Sequence, residues 1–142
     1  MTMAQTRNVG RKMPRILMVA LIVVGVLALL IGGMMGFALL GRQPTYDLTL
    51  AGVSAAGVAD GTYTGEYAAF RFSNTVAVTV KDQAIRDIQV VKPQVLAKEA
   101  TITALRDEVL AAQSTAVDTV ASATIDSKAY LKAVENALTG AR

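Results

Sequence analysis

Val117-Asp118-Thr119-Val120-Ala121-Ser122-Ala123-Thr124-Ile125-Asp126-Ser127 reads as an extended segment that turns on small residues and enters a helix. Tyr130, Val134, Ala137 and Leu138 recur at i, i+4, i+7 and i+8, which makes one apolar helical face over residues 128–138. Thr124, Asp126 and Ser127 are N-cap candidates, and Asn136 with Gly140 marks the far end. A helix start carries unpaired N–H groups and a partial positive charge, so this turn is able to hold a phosphate. Ser122 and Ala123 are small enough for a bulky group to approach the backbone, and Thr124 adds a hydroxyl beside it. The plain alternative is a cap with no further task.

Upstream of that stretch, residues 95–112 place Ile102, Leu105, Val109 and Ala112 at helical spacing. Lys98, Glu99, Arg106, Asp107 and Glu108 then fall mostly on the solvated side. Gln113-Ser114-Thr115 ends this helix. Earlier still, Val76, Val78 and Val80 share one strand face, with Ala77, Thr79 and Lys81 on the other. Lys81-Asp82-Gln83-Ala84 turns into a strand over residues 85–91, and Pro93 ends it. Residues 62–72 alternate loosely around Tyr63, Tyr67, Phe70 and Phe72, and Ser73-Asn74 is a turn signal. The order predicts an α+β domain, a small antiparallel sheet with two packed helices.

Three features together resemble the FMN-binding domain family. They are Asp118-x-x-x-Ser122-Ala123-Thr124 with Ser127 and the closing Ala133-Val134-Glu135-Asn136-Ala137-Leu138, the opening Asp60-Gly61-Thr62-Tyr63-Thr64-Gly65, and the hairpin from Val76 to Val90. That family includes the C subunit of sodium-translocating NADH:quinone reductase and the G subunit of Rnf complexes. The resemblance implies FMN joined by a phosphoester to Thr124, installed by an FAD:protein FMN transferase. Asp118, Ser122 and Ala123 would be what the transferase reads, and Ser127 would belong to the same cofactor-binding set. Three positions depart from the family pattern. Ala121 and Asp126 stand where Ser or Thr is common, and Gln83 stands where glycine is common. Asp126 would add a negative charge near a phosphate, unless it turns away as a helix cap. A non-glycine at residue 83 disfavours positive φ, so a different turn type is expected there. Tyr63 and Tyr67 are flavin-stacking or core residues, and Gly65 marks a cofactor approach or a bulge.

The N-terminal third has a different character. Residues 16–40 contain no charged side chain, whereas about 20 apolar residues suffice to cross a bilayer core. A secretory signal has a shorter apolar region and a small-residue cleavage site, which Phe37-Ala38-Leu39-Leu40-Gly41 lacks. An uncleaved transmembrane helix is therefore expected. Arg7, Arg11, Lys12 and Arg15 precede it, which places residues 1–15 in the cytoplasm and everything after residue 41 outside the cell membrane. Gly32 and Gly36 are either a helix-dimer contact or packing-neutral. Residues 41–58 read as a linker with Pro44 as the helix stop, with a weak strand at residues 46–50, and the folded domain occupies residues 59–142.

Composition removes several classes of function. The net charge is +3, but residues 41–142 carry ten basic and eleven acidic side chains. The basic excess sits in a juxtamembrane tail suited to lipid headgroups, so no nucleic-acid partner is implied. Cysteine and histidine are absent, which excludes disulfides, thiol nucleophiles, Cys/His zinc sites and Ser-His-Asp triads. No carboxylate pair has the character of a general acid and base. The expectation is a membrane-anchored extracytoplasmic electron carrier, relaying electrons between a membrane donor and an external acceptor. The rivals are a flavin-free assembly module beside a membrane complex and an FMN-dependent reductase of a small substrate.

Overall fold

The computed structural model describes residues 13–120 and 122–141, and the chain divides after Gly36 into two units. The first unit holds most of α1 (Arg15–Leu39), an uninterrupted helix with no buried residue. A helix that is apolar on every face needs apolar surroundings, which fits a membrane anchor and a signal sequence alike. Gly41, at φ 77°, ends the run in the left-handed conformation that glycine supplies just past a helix. Pro44 is not the stop. It sits inside the short α2 (Arg42–Tyr46) that follows.

In the second unit, β1 (Gly61–Tyr67), β2 (Asn74–Lys81) and β3 (Ala84–Lys92) form an antiparallel sheet in the order β1-β2-β3. A single 3-10 turn at Phe70–Phe72 joins the first two strands, so Asn74 opens β2 instead of completing a turn. Val76, Val78 and Val80 are buried as their alternation requires, with Ala77 and Thr79 half-buried and Lys81 exposed. The β2–β3 turn overturns one expectation. Asp82 and Gln83 both adopt positive φ, 53° and 56°, without glycine. Two positive-φ residues match the right-handed twist of the flanking strands, and that match outweighs their Cβ penalty. Neighbours hold the turn: Asp82 N–H donates to Asp60 Oδ1 (2.8 Å) and Gly57 N–H donates to Gln83 Oε1 (3.4 Å).

β3 carries two register shifts, where its pairing slips between Thr79 and Val80 and again between Thr75 and Val76. The first lets Ile85 and Ile88 enter the core together, although strict alternation would set them on opposite faces.

The helix α4 (Thr124–Gly140) buries nine of its residues, Tyr130, Leu131, Val134 and Leu138 among them. It begins four residues before the expected start and seats against β1. A Cβ at Gly65 would collide with the backbone at Ala133 and Ala137, so Gly65 lets the helix backbone lie directly on the strand. It marks neither a bulge nor a cofactor approach, since it pairs regularly with Val76. The other helix, α3 (Glu99–Ala112), starts later than residue 95 and buries only Leu105 and Val109. Gln113 closes it in the left-handed region. Its side-chain amide accepts from Ile85 N–H (2.7 Å) and donates to Ile85 O (2.9 Å), tying α3 to the start of β3.

Residues 41–58 do not run free. Thr45 is fully buried, donates to Gly41 O (2.6 Å) and shares a 3.0 Å bond with the Tyr67 hydroxyl. Residues 46–50 form no strand, and Lys128 Nζ donates to the Tyr46 and Leu48 carbonyls (2.6 and 3.1 Å). Farther along, Gly52 N–H donates to Glu135 Oε1 (2.9 Å) and Thr115 Oγ1 donates to the same oxygen (2.9 Å). Lys132 Nζ lies 3.3 Å from Glu135 Oε2, so this buried carboxylate is fully partnered. Ala55 and Val58 then enter the main core.

Candidate functional site

The N-terminus of α4 is built without a polar cap. Ala123 is the N-cap (φ −142°, ψ 36°) and has no side-chain oxygen to accept from the first-turn N–H groups. Thr124 is the first helical residue, so neither it nor Asp126 nor Ser127 is the cap expected from composition. The preceding loop folds back on the helix: Ala123 N–H donates to Val120 O (2.8 Å), Val120 N–H to Ser127 Oγ (3.3 Å), and Ser127 N–H to Ala123 O (2.8 Å). Ser127 is fully buried by this arrangement and fixes the turn from inside, while Ser122 is exposed and Thr124 half-exposed. Ser122, Ala123, Thr124 and Ser127 therefore share one turn. Asp118 stands apart, on a shallow depression lined by Glu108, Ala111 and Ala116 at the end of α3. Ala121 lies outside the described residues.

Asp126 points away from a capping role and toward Arg71, with Oδ1 3.4 Å from Nη1. Burial pushes its carboxyl above the ordinary carboxylate range, and the Arg71 guanidinium partly opposes that. The negative charge expected to disfavour a phosphate thus has a cation beside it. Gln94 Nε2 donates to Asp126 O (2.9 Å), which links the same helical turn to the segment after β3.

That segment leads into a cavity of about 710 Å³ between β3 and α3. Ile88, Val90, Pro93 and Ile102 supply apolar wall, and Tyr130 and Asn74 line it from α4 and β2. Three of the lining residues are more than nine-tenths buried and each holds an atom without a hydrogen-bond partner: Asn74 Oδ1, Gln94 Oε1 and Tyr130 Oη. Their orientation is set by what the rest of each side chain does. Asn74 Nδ2 donates to Phe72 O and Ala129 O (both 3.1 Å), which leaves its carbonyl oxygen free, and Gln94 is held in the same way by Asp126 O. Burial raises the Tyr130 phenol above its ordinary range; Arg106 opposes this, while Asp107 and Asp87 add to it. The phenol therefore stays protonated. Leaving such groups unpaired costs on the order of 1–3 kcal/mol each. Tyr130 is six residues along α4 from Thr124, about 9 Å of helix rise.

Tyr63 and Tyr67 pack against the core, with Tyr63 Oη donating to Ala59 O (2.7 Å). Sequence reading had taken Tyr130 only as part of an apolar face and passed over Asn74 and Gln94. Their signal was weak, an Asn after a turn and a Gln after a proline. Among the described residues no cluster of Asp, Glu, His or Cys could hold a metal ion.

A family model described as FMN-binding domain matches residues 73–139, which takes in β2, β3, α3, the loop and most of α4. Among curated proteins, no relative matches the chain.

Proposed function

We propose, from the match of residues 73–139 to the FMN-binding domain family, a membrane-anchored flavoprotein that carries FMN covalently on Thr124. The observation that carries this reading is the cavity with three unpartnered buried polar atoms, set a turn and a half of helix beyond Thr124. Bound FMN would supply one- and two-electron redox chemistry. The residues of the chain supply the rest. Thr124 Oγ1 would take the phosphoester, losing its proton as a transferase breaks the pyrophosphate of FAD and releases AMP. The uncapped first turn of α4 would offer the phosphate N–H groups, and Ser122 and Ala123 would leave its approach clear. Asn74, Gln94 and Tyr130 would hold the flavin by their polar groups, and Ile88, Val90 and Ile102 would give it an apolar wall. Asp118, on its separate depression, belongs to the surface read by the transferase.

The remainder of the reading follows from α1. As a retained anchor with basic residues on its N-terminal side, it leaves the tail in the cytoplasm and the domain outside. A tethered cofactor is not lost by dilution there. The protein then relays electrons between a membrane donor and an extracytoplasmic acceptor.

The test is the intact mass of the full chain, co-expressed with a flavin transferase in a compartment that enzyme reaches, beside Thr124→Ala. One FMN minus water on the parent chain and none on the variant is the expected result. A folded chain that stays unmodified beside a demonstrably active transferase overturns the carrier reading in favour of a flavin-free binding module.

A further inference from the structure

Arg71 gathers three separate pieces of chain around one guanidinium. Its Nε donates to Ala38 O (3.0 Å), in the last turn of α1. Its Nη1 donates to Val95 O (3.3 Å) and lies 3.4 Å from Asp126 Oδ1. The Arg71 carbonyl in turn accepts from Val95 N–H (2.9 Å), and the guanidinium stacks 3.8 Å over the Phe72 ring. Ala38, Arg71, Val95 and Asp126 all belong to the second unit. The end of the apolar helix, the turn after β3 and the first turn of α4 therefore meet at one side chain.

Around this junction, apolar side chains face outward. Phe70 is 61% exposed, Val95 49% and Leu96 74%. Phe70 and Leu96 also hold φ of 49° and 66°, a region that bulky residues rarely occupy. Single exposed apolar residues are ordinary. Three in the segments that meet at one guanidinium, in the same unit as the exposed Phe37, Leu39 and Leu40, make more than scattered exposure. Exposed Arg42, Lys92 and Lys98 stand in the same segments, beside the exposed acids Asp47 and Glu99. Long basic side chains of this kind suit the headgroup layer.

We propose that Phe70, Val95 and Leu96 seat in the interfacial layer of the lipid bilayer beside the exit of α1, with Arg71 holding the first turn of α4 at the lipid surface. The proposal rests on the reading of α1 as a retained membrane anchor. The occupant is the bilayer itself, because Arg71 bonds to Ala38, and Ala38 with the exposed Phe37, Leu39 and Leu40 closes the uncharged run that would enter it. Shallow insertion of a few apolar side chains into the headgroup boundary is the physics of interfacial segments generally.

The chain contains no tryptophan, so a single introduced one reports its own surroundings. Leu96→Trp in the full chain, prepared without transferase and reconstituted into phosphatidylcholine–phosphatidylglycerol vesicles, is compared with Gln83→Trp. Residue 83 lies beyond the far end of β2, an eight-residue strand about 25 Å long, from Arg71. The expected result is blue-shifted emission from residue 96, quenched severalfold more strongly by brominated lipid than emission from residue 83. Phe70→Trp gives a second reporter should Leu96→Trp fail to fold. Equal quenching at residues 70, 96 and 83 overturns the proposal, as does an intact mass showing that α1 has been cleaved off. A flavin adduct on Thr124 in a parallel sample, with residues 70 and 96 unquenched, overturns the lipid seating and leaves the flavoprotein reading standing.

Discussion

The two helices of the domain began from similar sequence patterns and came to different ends. α4 lies with its backbone on β1 at Gly65 and buries nine residues, including a glutamate. α3 buries two, and the space between it and β3 stays open as a cavity, three of whose lining residues hold an unpartnered polar atom. The difference teaches a division of labour. α4 is the keel that fixes where Thr124 sits, and α3 is a wall whose packing a bound ligand would complete.

That contrast is most readily broken at Gly65. Gly65→Val should lift α4 off the sheet and cost about 3 kcal/mol or more, since the collision is with backbone that cannot rotate away. Denaturant titration followed by circular dichroism measures it, and a near-neutral result would mean that the helix seat is looser than described. Next comes the core pair that compares the helices directly. Leu131→Ala in α4 should cost about 3 kcal/mol, whereas Ile102→Ala in α3, half-buried on the cavity wall, should cost about 1 kcal/mol in flavin-free protein. Glu135→Ala leaves Gly52 N–H and Thr115 Oγ1 without their acceptor and should cost about 2 kcal/mol, with hydrogen exchange rising first at residues 50–54.

Tyr130→Phe should act in the opposite direction. Without flavin it removes an unpaired buried hydroxyl and should stabilise the chain by about 1 kcal/mol, and with flavin that gain should vanish. Paired thermal melts of loaded and unloaded protein give the comparison. The smallest effect is expected at Asp126, under about 1 kcal/mol, because its pair with Arg71 is weak. Its carboxyl is held above the ordinary range, so its contribution to stability is fully present at the acid end and is lost as pH rises through its folded-state value. Asp126→Asn should remove that slope. Stability curves from acid to neutral pH that superimpose for the parent and variant would show that the carboxyl is not perturbed.

The sheet and both helices were legible because Val76, Val78 and Val80, and the apolar stripe of α4, carry period-2 and period-3.6 patterns that burial then enforces. What escaped reading depended on partners far away in sequence. Ile88 enters the core only because β3 is bulged. Gln83 takes positive φ because strand twist decides the turn. Glu135 sits in a run that reads as a plain amphipathic helix, and its burial is tolerated only through Gly52 and Thr115, neither of them near it in sequence. In the candidate site, Ser122, Ala123, Thr124 and Ser127 were legible as one turn. The cavity was not, since Asn74, Gln94 and Tyr130 come from three separate elements.

The burial of Thr45 against Tyr67 bears on how a water-soluble version of this protein should be made. A truncation that begins at residue 59, where composition first reads as folded, discards Ala55 and Val58 from the core and leaves Glu135 and Thr115 without their Gly52 and Val53 partners. One that begins at residue 42 keeps those but severs Thr45 from Gly41 and Arg71 from Ala38. The second unit, which retains every such contact, starts at Phe37, with the last three residues of α1. Its solubility would have to be recovered by replacing Phe37, Leu39 and Leu40 with polar residues, not by cutting them away.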